Sequence, residues 1–175
     1  MAASTIPVPS SATTDNYVLI SSVTPTAAAS TLTFTGISGY RKLMLRTYRP
    51  GLSATSTVTL TFNGDTGSNY AYQALSIVST SGANSSVVGT GANTGIPFAS
   101  ATSGGLEQNL IINDTNTTGV KTFSGFVIGG TAGNIVYPQF NGMYFASAAI
   151  TSITYTVTTN TFLASGSVAL YGVAA

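Results

Sequence analysis

The chain has 175 residues, of which five are Lys or Arg, four are Asp or Glu, and none is His, Cys or Trp. Charged residues make up 5%, against roughly 25% in an ordinary soluble domain. With the usual general bases, nucleophiles and metal ligands nearly missing, the composition argues against an enzyme, a cofactor or a thiolate metal site. Polarity comes instead from Ser and Thr, roughly three residues in ten. A surface of hydroxyls and methyls lacks the charge repulsion that keeps proteins apart, so it suits a chain packed against copies or partners.

The first fourteen residues are Ala, Ser, Thr and Pro apart from Met1, Ile6 and Val8, and include Pro7 and Pro9. They have no basic start and no continuous apolar run, so no secretory signal is predicted. Proline keeps such a segment extended and out of a central strand. Residues 1–14 are therefore expected to form an arm, with Ile6, Pro7, Val8 and Pro9 as candidate contacts to a neighbouring subunit.

From residue 15 onward the dominant period is two. Thr57-Val58-Thr59-Leu60-Thr61-Phe62 alternates hydroxyl and apolar side chains without a break, as does Thr31-Leu32-Thr33-Phe34-Thr35. That pattern puts one face on a core and the other toward water. Strands are predicted over 17–22, 30–35, 41–48, 57–62, 70–78, 107–113, 122–128, 139–145, 150–157 and 167–173. Turn residues fall between them, as in Asn63-Gly64-Asp65 and Gly129-Gly130. No stretch carries a sustained helical period, and no apolar run is long enough for a membrane span. The expectation is one all-β domain over 15–175, a jelly-roll-like sandwich of nine or ten strands with negligible helix. Residues 79–105, dense in Gly, Ser, Asn and Thr, read as one long irregular loop.

Four of the five cations lie in Arg41-Lys42-Leu43-Met44-Leu45-Arg46-Thr47-Tyr48-Arg49. Along a strand, Leu43, Leu45 and Thr47 share one face and Lys42, Met44, Arg46 and Tyr48 the other. The bland reading is a strand with a solvated outer side. The sharper one is an interface, because Met and Tyr beside Arg is an interface composition. Arg41, Lys42, Met44, Arg46, Tyr48 and Arg49 are the candidates. A net charge of +1 gives no footprint for nucleic acid.

The acids are Asp15, Asp65, Glu107 and Asp114. Asp65 and Asp114 sit in Asn/Gly/Thr clusters and read as turn formers rather than a glycosidase pair. Asn63, Asp65 and Asn69 lack the bidentate Glu of a calcium loop. The Gly-rich stretches lack the Lys-Ser/Thr of a phosphate loop.

Several segments together carry a resemblance: Asn16-Tyr17-Val18-Leu19-Ile20, Tyr40-Arg41-Lys42-Leu43-Met44, Leu60-Thr61-Phe62-Asn63-Gly64-Asp65, and the closing Ala169-Leu170-Tyr171-Gly172. In this combination the chain resembles virion proteins of tailed bacteriophages, found as capsid decoration (cement) proteins and as domains of tail fibres. The resemblance implies an all-β structural module on the virion. No heptads or repeat shaft are present, which favours decoration of the capsid surface. The implied partners are a major capsid protein and further copies of the chain, with a trimer expected. No nucleic acid, membrane or cofactor is implied. The alternative is a receptor- or glycan-binding module of a tail fibre.

Overall fold

The computed structural model describes residues 15–78, 84–101, 106–131 and 134–175. Among them are twelve strands and no helix. In chain order these are β1 (Val18–Val23), β2 (Thr31–Phe34), β3 (Tyr40–Tyr48), β4 (Ser56–Phe62), β5 (Tyr70–Val78), β6 (Asn84–Asn93), β7 (Ile96–Ala101), β8 (Glu107–Asn113), β9 (Lys121–Thr131), β10 (Asn134–Tyr144), β11 (Ile153–Val157) and β12 (Ser167–Ala174). They form an eight-stranded sheet, β1-β12-β3-β8-β9-β10-β5-β6, and a four-stranded sheet, β2-β11-β4-β7.

Eight of the strands nest from the outside inward. β1 pairs with β12, β2 with β11, β3 with β8 and β4 with β7, all antiparallel. One long hairpin folded over on itself gives this order, which is the jelly roll. The other four strands are insertions: β5 and β6 between β4 and β7, and β9 and β10 between β8 and β11. They add onto β8 as β9-β10-β5-β6 and widen one sheet from four strands to eight.

The alternation read from sequence decides which side chains meet between the sheets. Leu32 and Phe34 of β2, Ile153, Tyr155 and Val157 of β11, and Val58, Leu60 and Phe62 of β4 are buried. So are Leu43 and Leu45 of β3, Leu110 and Ile112 of β8, and Val168 and Leu170 of β12. Fully burying each such side chain contributes about 1.5–3 kcal/mol. The opposite parity of the small sheet is a threonine grid. Thr33, Thr154 and Thr61 stand in one cross-strand row and Thr31, Thr156 and Thr59 in the next.

One expectation is corrected. Residues 79–105 are not one irregular loop: β6 and β7 fill much of that stretch and bring the strands to twelve. Neither has the period that betrays a strand. β6 is an edge strand laid along β5 from Tyr70↔Asn93 to Ile77↔Asn84, so its partner's ladder, not an apolar face of its own, defines it. β7 carries Pro97, which an edge strand tolerates because one side of its backbone has no neighbour. The arm residues Ile6, Pro7, Val8 and Pro9 lie outside the described residues.

The chain crosses from the large sheet back to the small one over residues 145–152, and backbone groups along this crossing are bonded in turn. Phe145 N donates to Asn69 O (2.9 Å), Ile150 N to Thr115 O (2.8 Å) and Ile37 N to Thr151 O (3.0 Å). Lys121 Nζ donates to Ala146 O (3.0 Å) and Ala148 O. Asn63 does most. Its Oδ1 accepts from Thr151 N (2.7 Å) and Ser152 N (3.2 Å), its Nδ2 donates to Ala149 O (2.8 Å), and its own N donates to Ser152 O (2.9 Å). Asn63 can do this because it sits in a turn with positive φ at two successive residues, Asn63 (55°) and Gly64 (65°), closed by Asp65 N to Phe62 O (2.9 Å). Asn-Gly is the pair that such a turn prefers.

We predict that Asn63→Ala costs about 1–3 kcal/mol of folding stability, because Thr151 N, Ser152 N and Ala149 O lose their partner together. Asn63→Asp, which keeps the acceptor and tolerates positive φ, should cost less. Urea denaturation of the three proteins checks this; equal midpoints for Asn63→Ala and the parent would refute it.

Candidate functional site

The outer face of the eight-stranded sheet gathers the side chains expected from the sequence to make contacts. β3 alternates as read: Leu43, Leu45 and Thr47 are buried, Lys42 and Met44 are half-buried, and Arg46 and Tyr48 are exposed. Register then builds rows across the sheet. Leu19, Tyr171, Met44, Ile111, Ser124, Asn141 and Gln73 form one row over seven strands. Arg46, Asn109, Phe126, Gln139 and Leu75 form the next. Leu19 is 58% exposed, Met143 47% and Leu75 45%. Apolar side chains so open on one broad face mark an interaction surface.

The basic residues divide into three groups. Arg41 Nη2 donates to Asp15 Oδ1 (2.7 Å) and Lys42 Nζ to Asp15 Oδ2, a surface triad that ties the start of the described chain to β3. The Lys42 and Arg41 bonds hold the Asp15 carboxyl below its ordinary pKa. Lys121 is buried, its ammonium seated on the crossing carbonyls, and desolvation lowers its pKa. Sequence reasoning left Lys121 aside, although it shares the inward parity of Phe123 and Val127.

Arg46 and Arg49 form the third group. They line a groove of about 420 Å3 with Tyr48, Glu107, Asn109 and Phe126, and with Thr47 and Gln108. The groove opens where the β3–β8 ladder ends, at Arg46↔Asn109. Beyond that pair Thr47 turns its Oγ1 to Leu106 O (2.6 Å). Arg46 lies 5.6 Å from the centre of the Tyr48 ring, a cation–π distance. Sequence had named Arg46, Tyr48 and Arg49. Glu107 it had named only as one of four acids, and Asn109 and Phe126 not at all; these arrive beside Arg46 only through register.

The acids in turns are structural. Asp65 accepts from Gly67 N (2.7 Å), Asn69 Nδ2 (2.8 Å) and Tyr144 Oη (3.0 Å). Burial alone would raise its pKa, but these three donors outweigh it and hold the carboxyl low. Surrounded by donors, the carboxylate and the Asn63 amide are committed to the fold rather than offered to calcium. Asp114, at φ 60°, closes its turn through its carbonyl, which accepts from Thr117 N and Oγ1. Among the described residues no three acids group as a metal site.

Around Asp65 the tyrosines pack tightly. Tyr70 and Tyr144 stack at 4.8 Å, and Tyr70 Oη accepts from Phe62 N (2.9 Å) and donates to Asp65 O (3.0 Å). Desolvation pushes the Tyr70 phenol up to about 12 and raises Tyr144 and Tyr155 as well. The unfolded chain ionises these phenols near pH 10, whereas the fold holds them neutral. Their stabilisation is thus complete below about pH 10 and is lost as pH climbs toward the folded value. We expect the thermal midpoint to be flat from pH 7 to 9 and to fall steeply between about pH 10 and 12. Tyr144→Phe should lower the plateau yet soften the alkaline fall; an unchanged alkaline slope would contradict the assignment. No protein family, curated protein or solved structure matches this chain.

Proposed function

We propose that the chain is a structural virion protein of a tailed bacteriophage that decorates the outside of the capsid and stabilises the shell. The observation that carries this reading is the outer face of the widened sheet: seven strands of aligned apolar and polar side chains, with Leu19, Leu75, Ile128 and Met143 open to solvent. A jelly roll needs only four strands on this side to cover its core. The four extra strands add outer surface, which is of use to a protein that lies on something broad and flat.

The composition supports the same reading. Charge depletion with aromatics, Met and Arg at the centre is the make-up of an interface core. The phage resemblance supplies the partner class, a major capsid protein, and a homo-oligomer on it. The Asp65 carboxylate is held by donors of the chain, and two tyrosines that serve the fold stand beside it.

The direct test is to find the protein in a virion density map. On the shell exterior, with the wide face inward, the proposal stands; confined to the tail, it gives way to the fibre alternative. A variant tests the face itself. Ile111→Asp, at the centre of the long row, should leave the fold intact by circular dichroism yet reduce shell occupancy at least tenfold, since burying an unpaired charge costs more than 1.4 kcal/mol. Removing residues 1–14 should likewise lower occupancy, through loss of the arm contacts. Full occupancy by the Ile111→Asp variant would remove this face as the seat of binding.

A further inference from the structure

We propose that the free edge of β6 pairs with the β6 edge of a second copy, antiparallel across a two-fold axis, so that two eight-stranded sheets join into one. The wide sheet ends in β6, which is bonded to β5 on one side. Among the described residues no strand pairs with its other side. Alternate residues of an antiparallel edge turn their N–H and C=O groups outward, which makes the edge a template for another strand.

The other three sheet edges are guarded. β2 has only four residues. β7 carries Pro97, and its ladder with β4 shifts between Ser56 and Val58. β1 shifts register against β12 between Leu19 and Ser21, and Asp15 with Arg41 and Lys42 sets charge beside its start. Shortness, proline, bulges and charge are the devices by which edge strands avoid pairing with other chains. β6 has none of the first, second or fourth: it runs ten residues, Asn84–Asn93, without proline or charge. From Ile77↔Asn84 to Tyr72↔Gly89 it follows β5 in unbroken register, and its one shift lies beyond, toward Asn93.

Charge and symmetry select the occupant. No residue from Thr66 to Leu106 is charged, and none from Thr122 onward. The four strands that widen the sheet therefore carry one charge among them, Lys121, and it is buried. A partner with a charged edge finds no opposite charge here, whereas a second copy brings the same neutral edge. Antiparallel pairing of a strand with itself is what a two-fold axis produces, and two-fold dimers are the commonest closed assemblies. A three-fold axis cannot join one edge to itself, so the unit is a dimer in place of the trimer that the resemblance implies. The axis must stand perpendicular to the sheet, which sets residues of like parity opposite one another, with Ser86 or Val87 at the centre. Both wide faces then lie on the same side, so the dimer extends the face assigned above to the shell. The pairing itself needs no shell and does not rest on that reading.

The experiment is sedimentation equilibrium of the full chain alone in solution. We expect a reversible monomer–dimer equilibrium with a midpoint of about 1–100 µM, as suits a small interface. Ser86→Lys, which sets like charges across the axis, should weaken association at least about tenfold with an unchanged circular dichroism spectrum. The chain has no cysteine, so single cysteines report the register. Directly opposite residues stand about 4.5–5.5 Å apart at Cα, within disulfide reach. Under mild oxidation Ser86→Cys or Val87→Cys should cross-link into dimers, and Thr31→Cys, exposed on the small sheet, should not. The chain without residues 1–14 should dimerise as the full chain does. The proposal is overturned if the chain stays monomeric to about 1 mM, if it forms trimers, or if loss of residues 1–14 abolishes association. It is equally overturned if Ser86→Lys associates like the parent, or if neither edge cysteine cross-links faster than Thr31→Cys. Should Ser86→Lys unfold, the cysteines decide.

Discussion

The jelly roll closes only if the chain can cross from the widened sheet back to the small one, and two side chains fasten that crossing beside its backbone bonds to Asn69, Thr115 and Ile37. Lys121 reaches from the first position of β9 to the carbonyls of Ala146 and Ala148, and Asn63 reaches from the end of β4 to residues 149, 151 and 152. The crossing has no strand partner along these residues and is largely exposed, so these bonds fix its path across the edge of the sandwich rather than rescue a buried backbone. An ammonium suits the task because its three donors can serve several carbonyls at once. Removing its charge from water opposes the arrangement, which is the origin of its lowered pKa. The partial negative charge of the carbonyls offsets part of that cost.

This closure explains the segment Phe62 to Tyr70. Asn63, Gly64, Asp65, Asn69 and Tyr70 look like a binding loop in sequence, being rich in side-chain oxygen and able to turn sharply. In the fold each is a fastener. Asn63 holds the crossing, Gly64 permits its turn, Asp65 gathers donors from three residues, and Tyr70 joins the end of β4 to the start of the extension. A cluster of carboxylate and amide oxygens is a cation site only when its lone pairs are free, and here donors of the chain itself already occupy them. Asp65 also adjoins a stack of aromatic rings, so its neighbours are rigid rather than exchangeable.

Much of this was legible in the residues, and the limits have physical causes. Alternation revealed ten strands because each has one face on the core, and that face decides which side chains can be apolar. It failed for β6, whose place depends on backbone bonds to β5, and for β7, where Pro97 reads as a break. The outward parity of Arg46 and Tyr48 was legible for the same reason as the inward parity of Leu43 and Leu45. What stood opposite was not. Asn109 and Phe126 lie 63 and 80 positions from Arg46 in the chain, and only the β3–β8–β9 register makes them neighbours. Lys121 was legible in principle, since it shares parity with Phe123, but a lysine at a strand end is ordinarily taken as solvated.

The distribution of charge is the last step. In most domains charges are many, and their positions on the surface carry little information. Here charges are few, so each location calls for a reason. Asp15, Arg41 and Lys42 pin the start of the described chain to β3. Lys121 and Asp65 hold the crossing and the turn that serves it. Asp114 occupies a left-handed turn position that short polar side chains tolerate. Arg46, Arg49 and Glu107 line one groove where the β3–β8 ladder ends. The wide sheet face thus carries long rows, poor in charge, fit to lie against another protein.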